Sequence, residues 1–269
     1  MSRTSWMYIA MAAIGLLMVF IAPLLIIQDP FSANSANRLL PPSSSHLLGT
    51  DHLGRDLLSR IVYGARYTVV TALMIVVISG LIGMSIGFVS ATSGGIIDQV
   101  FMRFSEWMSA FPSVILAFLF VGIAGPGLLN ILIALSLVFW IPIARLVRNT
   151  TVRTMQEPYY ESAMISGVPH VKRIQRHLIP AVLPQVTVLL ALNIGSAMLH
   201  IAGFSFLGIG IQPPLPEWGA MLNESRSYFY AAPWLMIVPG MAIFLVVLFW
   251  NLLSEQMRDE FDQKRGSGL

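Results

Sequence analysis

The sequence predicts an all-α integral membrane protein of six transmembrane helices, and three observations predict it. Only 11% of the 269 residues are charged and 56% are hydrophobic, whereas soluble domains carry about 25% charged residues; the mean hydropathy is +0.74. Asp, Glu, Lys and Arg are absent from Tyr67 to Ile97, from Trp107 to Ala144 and from Leu178 to Pro216, and ~20 apolar residues suffice to cross a bilayer as a helix. Lys and Arg also collect in alternate connecting segments, as they do in multi-pass chains. So few charges cannot clothe a water-soluble surface, which excludes a soluble domain. The net charge of +3 is spread over short loops and makes no nucleic-acid patch. With no cysteine, disulfides are excluded.

The spans are read, in order, at Met7–Ile27, Thr68–Ala91, Met108–Gly125, Leu128–Val147, Val182–Gly210 and Trp234–Leu253. The first is rather long for a signal-peptide core and has no small-x-small cleavage site before Pro30, so it reads as a retained helix. Gly125-Pro126-Gly127 makes a tight hairpin between the third and fourth. The fifth run exceeds what a bilayer needs and is expected to tilt or to extend beyond it. With the N-terminus inside, inner segments hold 11 Lys/Arg and outer segments 5, which predicts both termini in the cytoplasm. Three regions result: 1–67, a first span with an outer loop; 68–253, the membrane core, holding an inner loop at 157–180; and a tail at 254–269. In the outer loop, Leu57, Leu58, Ile61 and Val62 form one apolar face with Arg60 off it, predicting an amphipathic helix on the membrane surface that leads into span two.

No acid or base lies at mid-membrane depth, where ion-coupled carriers place one; His200 is the sole ionisable candidate there. The two lysines, Lys172 and Lys264, sit in no phosphate-binding loop. The chain therefore reads as a passive pore or as a partner driven by another subunit. The inner loop bears on that choice. Pro158 suits the first turn of a helix, Gly167 its left-handed end, Pro169 a second start, and Pro180 that helix's end or the entry to span five. Ser162, Ala163, Ser166 and Gly167 leave one side of the first helix small enough to lie deep in a groove of another protein.

Glu161-Ser-Ala-x3-Gly167-x9-His177-x-Ile-Pro180 resembles the coupling loop of ABC importer permeases, usually written EAA-x3-G-x9-I-x-LP. It departs at Ser162, His177 and Ile179. Thr50-Asp51-His52-Leu53-Gly54-Arg55-Asp56 is similar to the TDxxGRD signature of the C-type subunit of the peptide/nickel branch. Ser205-Phe-Leu-Gly-Ile-Gly210, followed by Glu217-Trp218-Gly219, resembles the SFLGLG…WG region of that branch. The resemblance implies a type I ABC importer permease fold and a non-catalytic role in the cytoplasmic membrane of a prokaryote. It implies a second, homologous permease, two cytoplasmic ATPase subunits that hold ATP and Mg, and an extracytoplasmic substrate-binding protein. No cofactor is expected on this chain. The ATPase-coupling set it implies is Glu161, Ser162, Ala163, Ser166, Gly167, Arg173, His177 and Pro180.

The outer motif, Asp51, Gly54, Arg55 and Asp56, offers Asp51 or Asp56 as a helix cap and Arg55 as a partner for an acid, and Trp218 is a contact for a binding protein or substrate or, more simply, an interfacial anchor. In span five, Asn193, Ser196 and His200 share a helical face and either line a path or bond between helices. The surroundings of His200 resemble nickel-type permeases, which favours Ni2+ or a metal chelate as cargo over di- or oligopeptides, although one His makes no metal site. An ATP-independent channel is the reading from another class.

Overall fold

The computed structural model describes residues 19–21 and 28–266. The predicted first span, Met7–Ile27, therefore lies outside the described residues except for 19–21. Among the described residues the regular structure is helical, with one isolated bridge pairing Thr50 with Asp56.

Helix α1, Leu57–Ser93, starts where Asp56 Oδ2 accepts the Ser59 N–H at 2.8 Å, so Asp56 supplies the cap expected of it. The expected surface helix is not separate. It is the first part of one 37-residue helix. Arg60, expected off the apolar face, is only 1% exposed. The loop before α1 brings Asp51 to it, and Glu224 reaches it from far along the chain.

Gly94, at φ +61°, ends α1 and hands the chain to α2, Gly95–Ser109. Helix α3, Ser113–Ala124, follows at 88° to it. The predicted third span thus corrects to a bent pair, of which α3 supplies 12 residues, about 18 Å of a hydrocarbon core ~30 Å thick. Pro112 causes the break, because it disfavours helical geometry at Phe111 and offers no N–H. The hairpin forms as expected, with Gly125 at φ +88° and Gly127 at φ +144°. Asn130 Nδ2 donates to the Ala124 and Gly125 carbonyls at 2.9 and 3.0 Å, satisfying the end of α3.

Helix α4, Leu128–Met155, runs past its predicted end at Val147. Helix α5, Pro158–Ile165, leads through Gly167 to α6, His170–Phe206, which holds a π turn at Ile174–Leu178. The second short helix expected before Pro180 is instead the start of α6. At 37 residues α6 extends well beyond a bilayer. A short α7, Trp218–Ser225, and a long α8, Trp234–Gly266, complete the chain.

Helices α1 and α4 share the largest helix–helix contact. Gly83 and Gly87 make it possible: a Cβ at Gly83 would sit 2.7 Å from the Trp140 carbonyl oxygen, and one at Gly87 2.6 Å from that of Ala144. Two glycines four apart let helix backbones touch where lipid supplies no hydrophobic drive. Ile75, Leu135, Met198 and Ile201 fill the core where α1, α4 and α6 meet. Outward, Val77, Leu81, Ile133, Ile237 and Phe244 are exposed, an apolar coat suited to a bilayer.

Candidate functional site

Three groups of residues singled out in the sequence fall in three places: the short helix α5, the C-terminal third of α6, and a polar cluster at the start of α1.

Helix α5 begins with Pro158 at its first turn. It ends in a Schellman motif: the Val168 N–H reaches the Ala163 carbonyl and the Gly167 N–H that of Met164, both at 3.1 Å. Gly167 holds φ +72° with open space where a Cβ would go, so its need is conformational. Glu161, Ser162, Ser166 and Gly167 are exposed and Ala163 is half-buried. Met164 and, at 84%, Ile165 stand exposed beside them. The surface is small-and-apolar and uncovered by this chain. Arg173 and His177, expected in the same set, point elsewhere. The Arg173 guanidinium lies 5.4 Å above the Tyr160 ring, and His177 packs on Tyr160 and Tyr159 at 6.2 and 5.6 Å. Pro180 lies inside continuous helix. It has no N–H, and the chain accommodates it with the π turn, whose closing bond runs from the Ile179 N–H to the Ile174 carbonyl.

In α6, Asn193 is buried with Nδ2 unpartnered, Ser196 is exposed, and His200 is half-buried between them. The shared face is thus split by burial. His200 Nδ1–H donates to the Ser196 carbonyl at 2.7 Å. In the neutral ring this leaves the lone pair on Nε2, which is shielded and unpartnered. The Phe139 ring stands against the imidazole at 5.4 Å and 85°. On α4, the Ser136 Oγ is likewise buried and without a partner.

At the outer cluster, Asp51 Oδ1 accepts the Leu53 and Arg55 N–H groups at 2.8 and 3.0 Å. Its Oδ2 takes Arg55 Nε at 2.6 Å and pairs with Arg60 Nε at 3.4 Å. Arg55 and Arg60 then share Glu224 Oε2 at 3.0 and 3.1 Å. Arg55 thus has the acid expected of it, plus a second one. Arg60 and Glu224 were not among the expected residues. Gly54, at φ +76°, passes so close to the Asn34 carbonyl that a Cβ would overlap it at 1.9 Å. Asp51, His52 and Glu224 offer ligand atoms within 4.8 Å of one another, but two guanidinium groups already hold both carboxylates, so a cation would meet positive charge. Burial lowers the His52 pKa, opposed by Asp51 and Glu224.

Trp218 corrects both of its expectations. It is 3% exposed and donates Nε1–H to the Ile61 carbonyl at 2.9 Å, pinning α7 to α1 rather than meeting lipid or a partner. Beside it the buried Glu217 caps α7, accepting the Gly219 and Ala220 N–H groups at 2.9 and 2.8 Å and the Thr68 hydroxyl at 3.2 Å. Burial pushes its pKa up while these bonds pull it down. Ser205 and Gly208 close α6 in a second Schellman turn, with Gly208 at φ +81°. The outer motifs are therefore devices of folding: a turn, two caps and a buried charge lock.

Residues 82–264 match the family described as the binding-protein-dependent transport system inner membrane component. The nickel transport system permease protein NikC of Escherichia coli K12 is 39% identical over 87% of this chain and 84% of that protein. The dipeptide permease DppC of Alkalihalophilus pseudofirmus is 38% identical over 94% and 83% respectively. The glutathione permease GsiD of Pectobacterium atrosepticum is 42% identical over 83% and 74%. Among solved structures, the inward-facing methionine ABC transporter MetNI is similar in fold, with a TM-score of 0.61 at 16% identity, over 76% of this chain and 97% of that one. The chain is a multi-pass inner-membrane protein, and it belongs to the peptide/nickel branch of the ABC importer permeases, the membrane components of binding-protein-dependent transport systems.

Proposed function

We propose that this chain forms half of the translocation path of an importer for Ni2+ or a small metal chelate. The observation that carries this is His200. Its Nδ1–H is tied to the helix backbone, which leaves the lone pair on Nε2, shielded in this structure and without a partner until the spans part. An imidazole suits nickel, and a single one binds weakly enough to release what it binds. Asn193 and Ser196 supply further polar atoms along the same helix. Likeness to the nickel permease NikC supports the reading. Likeness to DppC supports import of di- or oligopeptides equally well, and that is the second reading.

In this proposal both termini are cytoplasmic. A homologous permease supplies the other half of the path, and an extracytoplasmic protein delivers cargo. Helix α5, through Ser162, Ala163, Ser166 and Gly167, seats on one of two ATPase subunits that hold ATP and Mg. ATP binding then moves α5, and the spans open alternately to either side. The test is uptake into proteoliposomes carrying the whole complex, with radioactive Ni2+ and with a labelled dipeptide. ATP-dependent Ni2+ uptake that falls in His200→Ala, with ATPase activity intact, supports the proposal. Dipeptide uptake alone selects the second reading, and flux without ATP would make the chain a channel.

A further inference from the structure

Tyr160 is the one buried residue of α5, at 3% exposure, in a helix whose other side chains are exposed or half-exposed. Two residues of α6 pack on its ring. Arg173 lays its guanidinium on the ring at 5.4 Å, and its Nε is buried with no hydrogen-bond acceptor, so the ring face stands where an acceptor would. His177 approaches Tyr160 near-perpendicular, at 83°, and is flanked on its other side by Tyr159, tilted at 40°. Arg173 immediately precedes the π turn and His177 lies within it. The wider i→i+5 turn therefore sits at the point where α6 grips α5. Between the two helices the chain turns at Gly167, at φ +72°, where the Schellman bonds close the end of α5 but no side chain packs around the glycine.

We propose that Arg173 and His177 are positioning residues that clamp Tyr160 and make α5 and the cytoplasmic end of α6 one lever. A push on α5 is then delivered to the span that carries His200 instead of being absorbed at Gly167. The proposal rests on the reading of α5 as the ATPase-facing helix and deepens it. Arg173 and His177 act through Tyr160, on the side of α5 turned into the chain, while Ser162, Ser166 and Gly167 meet the partner.

The test uses the assembled transporter in proteoliposomes, reading ATP hydrolysis and uptake of radioactive Ni2+ or a labelled dipeptide on the same sample. Tyr160→Ala and His177→Ala are expected to keep hydrolysing ATP; uptake per ATP falls about tenfold in Tyr160→Ala, the loss expected when a cation–π and an aromatic contact together worth ~1.4 kcal/mol disappear, and falls less in His177→Ala, which leaves Arg173 on the ring. Tyr160→Phe keeps the ring and is expected to restore the ratio. If Tyr160→Ala lowers hydrolysis and uptake in step, or leaves uptake per ATP unchanged, the clamp is overturned. If the unaltered complex shows no ATP-dependent uptake at all, it is the importer reading that fails and not the clamp alone.

Discussion

Replacing Glu224 tests the charge lock that joins the outer loop to α7. Arg55 and Arg60 both lean on its Oε2, at 3.0 and 3.1 Å, and with Asp51 the four residues sum to zero charge. Glu224→Leu leaves two guanidinium groups facing one carboxylate, with Arg60 1% exposed. Stranding a buried charge costs roughly 3–5 kcal/mol. Glu224 is itself 15% exposed, so water reaches the site and about 2–4 kcal/mol is the better expectation. For a chain of this size that lowers the unfolding midpoint on the order of 10 °C. The assay is thermal unfolding of the purified protein in detergent, with Arg60→Met and the double variant measured alongside. Arg55 keeps Asp51 at 2.6 Å in the double variant, so Arg60→Met with Glu224→Leu should be more stable than Glu224→Leu alone. A midpoint for Glu224→Leu within a degree or two of the unaltered protein would refute the lock. So would a double variant that loses the full sum of the two singles.

Two further predictions concern the membrane core and its orientation. Gly87→Leu should cost about 1–3 kcal/mol, because a Cβ there already lies 2.6 Å from the Ala144 carbonyl and 2.7 Å from Val147 Cβ. Gly94→Ala-type changes at open positions are not comparable controls, since φ is positive there, so Gly122→Ala, which meets nothing within 4 Å, serves instead, and equal midpoints for Gly87→Leu and Gly122→Ala would count against the close contact. For topology, a cysteine at the exposed Ser44 should react with an impermeant thiol reagent in intact cells, and one at Gln256 should not; Ser254 is unsuitable because it is fully buried. The reverse pattern would invert the orientation.

Legibility in the sequence followed the range of each interaction. Charge-free runs announced α1, α4, α6 and α8, because the bilayer forbids unpaired charge locally. Gly167 and Asp56 were readable since a left-handed helix end and a cap are decided by a few neighbours. The break at Pro112 was also written locally, in Phe111-Pro112, yet the apolar run across it masked it. Gly83-x3-Gly87 was visible as a spacing, but its meaning depends on α4 lying opposite. Arg60 misled for a physical reason. An amphipathic pattern places an arginine outward unless an acid comes from elsewhere, and Glu224 comes from 164 residues away. Tyr160 had no periodic signature at all, since the Arg173 and His177 side chains that pack on its ring come from the next helix.

That same separation of 164 residues between Arg60 and Glu224 fixes an order of events in synthesis. Arg60 is made before α2, α3, α4 and α6, and Glu224 only after them. Asp51 and Arg55 can pair as soon as they emerge, but the outer loop stays unlatched until α7 arrives. A chain interrupted anywhere before α7 therefore leaves Arg55 and Arg60 to share the single carboxylate of Asp51, one charge in excess, a mark that distinguishes an unfinished permease from a finished one.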